Sequence, residues 1–185
     1  VMSMPDFDPV TLKMPQYLES DQIVMWSALL QWTFEELSVF VYHPQYILVL
    51  LDKFSLGDGK GEGELVEDNE ANVDRIRQMF KANLSNFKLH LFPVHSGAGL
   101  EGELSHWTLL ALDYETKSVR WYETLDSPKE FCLSSMSYIC ELSGIKMPEE
   151  RENLFRQAGV ECGLGVMHYL EKEMRMAAGE GEGSV

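Results

Sequence analysis

The stretch "HWTLLALDYETKSVRWYETLDSP", His106 to Pro128, decides how the middle of this chain is folded. Two runs rich in aromatic, Thr and aliphatic residues flank a short polar segment, the pattern of two strands joined by a turn. If "YETK" is a four-residue loop, or "ET" a two-residue one, paired residue numbers sum to 231. Thr108 then faces Glu123, and His106 faces Leu125. Side chains alternate across a strand, so His106 and Glu123 project from one face as diagonal neighbours, about 7–8 Å apart at the backbone. In that register the Glu123 carboxylate can accept the His106 ring N–H and orient the ring as a general base. A loop of odd length reverses the parity and makes Asp126 the acid instead.

Around this hairpin the periodicities outline one unit. "SDQIVMWSALLQWTFEEL" carries Ile23, Trp26, Leu29/Leu30 and Phe34/Leu37 at helical spacing, with Ser20 or Asp21 as N-cap. "YILVLL", Tyr46 to Leu51, is short and continuously apolar, which suits a buried strand without excluding a helix. The acidic, glycine-rich span 57–70 reads as a surface loop. "ANVDRIRQMFKANL" follows as a helix, and "FKLHLFPV" as a strand with Phe87, Leu89 and Leu91 on one face and His90 on the other, toward solvent. The final third predicts a helix over Phe131 to Ser143 and another opened by Cys162, its inward face formed by Leu164, Met167, Leu170 and Met174. Helix, sheet and helix in 185 residues indicate one α+β domain with a mixed or antiparallel sheet flanked by helices. Its expected bounds are an extended lead-in over 1–16, the domain over 17–176 and a flexible tail over 177–185.

Composition narrows the function classes. The net charge is -15 and the pI about 4.6, the opposite of what phosphate binding requires, so neither nucleic acid nor an anionic membrane is an expected partner. The strongest apolar run is interrupted by Asp52 and Lys53, far short of a membrane span. Three cysteines, Cys132, Cys140 and Cys162, lack any CxxC or zinc-ligand spacing, so neither a disulfide framework nor a structural metal site is expected. A reducing intracellular setting, nucleus or cytoplasm, and a monomer are the corresponding expectations. The chain opens without a signal peptide, and from its ends, Val1 and "AAGEGEGSV", the expectation is a piece excised from a longer protein.

Cys162 stands in "RQAGVECGLGVMHYLE", at the first turn of the last predicted helix. Free cysteine is commonly a small buried hydrophobe. At a helix N-terminus, however, unpaired N–H groups and the positive dipole end favour thiolate over thiol. Gly163 and Gly165 permit close backbone approach by a substrate. Among five histidines, His168 falls on another face of the same helix, His43 lies in a loop, and His95 and His106 bracket a glycine-rich segment.

Taken in order, "HW" (His106–Trp107), "WYETL" (Trp121 to Leu125) and "RQAGVECG" (Arg156 to Gly163) resemble the ubiquitin-like-protein proteases, adenain-type cysteine peptidases that process SUMO and related modifiers. "LESDQI", Leu18 to Ile23, is similar to the family's Trp-Leu-x-Asp-x-x-Ile entrance motif. The resemblance implies an adenain-like fold with the nucleophile at a helix N-terminus and hydrolysis at a modifier's C-terminal glycine. It implies Cys162 as nucleophile, His106 as general base and acid, Glu123 as orienting carboxylate and Gln157 as oxyanion donor. It further implies Trp107 over a narrow Gly-Gly channel, with Leu18, Asp21 and Gly163 as other substrate-binding positions. The partner implied is a ubiquitin-like modifier or its conjugates, with no cofactor. The chain departs from the usual pattern at Leu18 for Trp, at Glu123 and Glu161 for Asp, and in placing Gln157 one position nearer the cysteine. Two other functions share this frame: a YopJ-type protein acetyltransferase, and a module that binds a modifier without cleaving it.

Overall fold

The computed structural model describes residues 20–44, 66–96, 106–125, 130–148 and 162–180. Within them the elements run α1 (Ser20–Thr33), β1 (Val39–Val41), α2 (Val66–Asn86), β2 (Leu89–His95), β3 (Trp107–Asp113), β4 (Ser118–Tyr122), α3 (Glu130–Ser143) and α4 (Cys162–Ala177). The four strands form one mixed sheet in chain order: β1 pairs parallel to β2, and β2, β3 and β4 pair antiparallel. The lead-in, the Tyr46–Leu51 run, most of the acidic span and most of the tail lie outside the described residues.

The hairpin has the even register. Asp113 pairs with Ser118 and Leu109 with Tyr122, leaving Tyr114–Lys117 as a four-residue loop. Asp113 enforces it: its Oδ1 accepts the N–H groups of Glu115 (3.0 Å) and Thr116 (2.9 Å), an Asx-type turn. Lys117 closes the loop at φ 56°, in the left-handed region.

Each face of the sheet carries helices, and each side-chain parity of the strands therefore meets a core. Leu91, Trp107, Leu109, Ala111 and Tyr122 pack with Ile23 and Leu30 of α1 and with Cys162, Val166, Tyr169, Leu170 and Met174 of α4. Phe92, Val94, Leu110, Leu112 and Trp121 pack on the other side with Phe80 and Leu84 of α2 and with Cys132, Met136 and Ile139 of α3. This two-sided burial explains why "LLAL" in β3 is apolar at every position.

The structure also corrects several expectations. His90 does not face solvent; it is fully buried, with Nε2 3.0 Å from the Phe87 carbonyl and Nδ1 3.4 Å from the Tyr42 hydroxyl. Burial holds its pKa below the ordinary histidine value despite that carbonyl. Leu164 is exposed rather than inward, because Cys162 is buried and two helical residues turn the side chain about 200° away. The inward stripe of α4 runs instead through Cys162, Val166, Tyr169, Leu170, Glu173 and Met174. Finally, α2 begins at Val66, so the last five residues of the 57–70 span are helical, while α1 ends at Thr33 and Val39–Val41 adds a strand not foreseen from the sequence.

Candidate active site

His106 precedes β3 and Glu123 follows β4, so both stand at the open end of the hairpin, opposite the "YETK" turn. Glu123 Oε1 accepts the His106 Nε2–H at 2.6 Å and the Leu125 backbone N–H at 2.9 Å. The two side chains are 2% and 0% exposed, which makes this a buried charge pair rather than a surface one. Two atoms of the pair, His106 Nδ1 and Glu123 Oε2, are buried without a hydrogen bond of good geometry among the described residues. The even loop makes Glu123 the partner of His106; Asp126, the acid of an odd loop, lies outside the described residues.

Thr108, one step into β3, stiffens this end. Its hydroxyl donates to the Tyr122 carbonyl (2.7 Å) and accepts from the Trp121 indole N–H (2.9 Å), bonds that cross from β3 to β4 beside Glu123.

Cys162 is the first residue of α4 and packs into the same core as Trp107 and Leu109. Burial pushes its thiol up, but His106 and the backbone of Trp107 and Gly163 outweigh it, so the thiol is held below its ordinary value. Burial likewise opposes charge on His106, yet Cys162 and Glu123 together push it up to about 9. The two shifts share a cause: thiolate and imidazolium stabilise each other, with Glu123 adding to the charge on the ring and the Trp107 and Gly163 backbone to that on the sulfur. Cys140 supplies the contrast within the same chain: its sulfur lies 3.7 Å from the neutral Met147 thioether, which stabilises no thiolate, and burial pushes it up to about 11.

Two features hold α4 against the hairpin. A Cβ added at Gly165 would stand 3.3 Å from Thr124 Cγ2, so glycine there lets the first turn of α4 approach the residue next to Glu123. Further along, Glu173 is buried and receives Arg120 through two 2.6 Å bonds, Nε to Oε1 and the second guanidinium nitrogen to Oε2. The Tyr122 hydroxyl donates to the same carboxylate, and the Tyr122 ring stacks on Tyr169 at 4.5 Å. The strand residue before Glu123 is thereby tied to the helix that begins with Cys162. Neither Arg120 nor Glu173 stands out in the sequence, because they lie far apart and no local pattern joins them.

The remaining positions divide. Trp107 is fully buried and stacks on the His95 ring at 4.2 Å. His95 itself is held below the ordinary histidine value, first by burial and then by the nearby His106. Gly163 is buried beside Cys162, and Asp21 is exposed in the first turn of α1. His168 is exposed on α4, away from the buried stripe. Gln157 and Leu18 lie outside the described residues. No cluster of three His, Cys, Asp or Glu suited to a metal occurs among the described residues, and no helix there is long and apolar enough to cross a membrane.

No model of a protein family matches the chain, and no curated protein does. Solved structures do. A cysteine-to-alanine mutant of Xanthomonas XopD superposes with a TM-score of 0.64 at 13% identity, covering 89% of this chain and 85% of that one. The C-terminal Ulp1 protease domain in complex with Smt3, the yeast ortholog of SUMO, gives a TM-score of 0.56 at 15% identity, with 94% and 72% covered. The SUMO protease Ulp1 with its catalytic cysteine oxidised to a sulfinic acid gives 0.55 at 15%, with 95% and 73% covered. At such identities the likeness shows the fold: this chain has the α+β architecture of the Ulp1 and XopD domains.

Proposed function

We propose that the protein is a cysteine peptidase that hydrolyses the C-terminal glycine linkage of SUMO or a related ubiquitin-like modifier. The observation that carries this reading is the buried Cys162–His106–Glu123 set, in which an imidazole bonded to a carboxylate lowers a thiol at a helix N-terminus. A plain structural cysteine has no need of such company, as Cys140 illustrates. The shared fold with Ulp1 and XopD supports the choice of substrate.

In this reaction the Cys162 thiolate attacks the glycine carbonyl carbon, forming a C–S bond and a tetrahedral oxyanion. Gln157 and a backbone N–H near Cys162 donate to that oxyanion, a contribution typically of about 10²–10³ in rate per donor. The imidazolium of His106 gives its proton to the departing lysine amine as the C–N bond breaks. Neutral His106 then takes a proton from water, whose oxygen attacks the thioester and releases the modifier's carboxylate with the thiol. Glu123 holds the ring and stabilises its charge throughout. Trp107 covers the channel for the Gly-Gly tail, and Gly163 leaves room for its backbone.

The test is hydrolysis of a panel of ubiquitin-like modifiers carrying a C-terminal aminocoumarin or an isopeptide-linked lysine. Turnover of at least one modifier, lost in Cys162→Ala and strongly reduced in Gln157→Ala, is the expected result. A chain that cleaves none of them while transferring an acetyl group from acetyl-CoA to protein would overturn it in favour of the acetyltransferase chemistry. A chain that binds a modifier without cleaving it would leave only a binding module.

A further inference from the structure

Helix α1 shows solvent what a helix of a lone domain usually hides. Its inner side is ordinary: Ile23 and Leu30 are in the core, and the Trp26 indole donates to the Met167 carbonyl of α4 at 3.2 Å. On the outer side Met25 is 72% exposed, Leu29 36% and Trp32 70%. At 100° per residue these three fall within about 60° of one another, in one stripe about 10 Å long. Single exposed apolar residues are normal, as Leu133 and Met176 are here. Three together, including a Trp and a Met, form the composition enriched in protein interfaces.

Charge at the ends of the stripe says what can cover it. Asp21, one turn before Met25, is exposed, as are Glu35 and Glu36 just beyond Trp32. From residue 14 to residue 52 the sequence contains no Lys or Arg at all. A second copy of this chain, laid antiparallel on the stripe, would set acid against acid at both ends. An anionic lipid surface would be repelled in the same way.

We propose that Met25, Leu29 and Trp32, with Asp21 and Glu35 at the ends of the stripe, seat a protein partner that presents an apolar patch rimmed by Lys or Arg. This inference rests on the activity proposed above and assigns the seat to the folded body of the modifier. The first residue of the stripe follows Asp21 by one turn, and α1 packs on α4, the helix that begins with Cys162. Body recognition on α1 and tail chemistry at Cys162 then engage one substrate at two places. Selection among modifiers follows from their surfaces: one with a basic-rimmed apolar face is accepted, and one with an acidic or wholly polar face is not.

The experiment compares covalent labelling of Cys162 by full-length ubiquitin and SUMO vinyl sulfones with labelling by a short Gly-Gly peptide vinyl sulfone. It is run on the unaltered chain, Met25→Glu and Trp32→Ala, all checked for an unchanged melting temperature. The expected result is that the reactive modifier labels both variants about tenfold more slowly or worse, and more slowly as salt is raised, while the peptide labels all three alike. Modifier labelling indifferent to both substitutions would overturn this inference and leave the activity standing. A chain labelled by the peptide but by no modifier would overturn the proposed substrate, and this inference with it. Sedimentation as a dimer that Trp32→Ala dissolves would assign the stripe to a second copy and likewise overturn it.

Discussion

The two ends of the β3–β4 hairpin each carry a charge pair, and the pairs have little else in common. At the turn, Lys88 Nζ meets Glu115 at 2.9 Å with both side chains more than half exposed. At the open end, His106 meets Glu123 at 2.6 Å with almost nothing exposed. Water screens the first pair and competes for its hydrogen bonds, so it contributes little to stability. The second pair sits where desolvation is costly, and persists because Cys162, Leu125 N–H and the packed sheet complete it. A domain seeking only stability would fill that space with aliphatic side chains. On the proposed activity, the difference is that between a pair kept for chemistry and a pair on an ordinary solvated turn.

Substitutions at the two ends should therefore read out in different quantities. The largest effect is expected for Cys162→Ala, which removes the proposed nucleophile and should abolish modifier hydrolysis while leaving the melting curve nearly unchanged. Next is Glu123→Gln, expected to lower kcat by about 10²–10⁴. It also has a pH signature. Glu123 is one of the groups holding His106 up to about 9, so its loss lets burial bring His106 down and moves the alkaline limb of the kcat profile toward lower pH. An unmoved limb would mean that Glu123 does not set the charge of the ring.

Between the two ends lies the tie from Tyr122 and Arg120 to Glu173. Glu173→Ala leaves a guanidinium and a phenol without their carboxylate, at a cost of about 3 kcal/mol in urea unfolding. A loss below about 1 kcal/mol would show that α4 is held by apolar packing alone. The smallest effect is expected at the turn: Glu115→Gln should leave both the urea midpoint and turnover where they are. A measurable loss there would break the contrast between the ends.

Much of the open end was legible in the sequence because it depends on local rules. Two strands with alternating side chains and a short polar loop narrow the acid to Glu123 or Asp126, and the even register with its Asx turn at Asp113 then brings His106 and Glu123 together. Cys162 at a helix start needed only the change from a polar run to helical spacing. What could not be read depends on contacts between distant segments. His90 and Leu164 depart from their sequence patterns because a strand covered on both faces loses its polar–apolar alternation, and because a buried Cys162 rotates the apolar face of α4. Glu173 can occupy that buried face only because Arg120, 53 residues earlier, and Tyr122 complete its carboxylate. The strand Val39–Val41 is three residues long, too short for periodicity to register.

The most direct test of the site is the pH dependence of alkylation at each cysteine, measured by peptide mass spectrometry on the native chain. Cys162 should react well ahead of Cys132 and Cys140 at about pH 7, with a midpoint below the ordinary thiol value near 8.5. In Glu123→Gln the selectivity should weaken as the imidazolium becomes harder to keep. If Cys162 titrates at or above the ordinary thiol value, or reacts no faster than Cys140, then the thiolate–imidazolium pair does not exist and Cys162 is a structural residue.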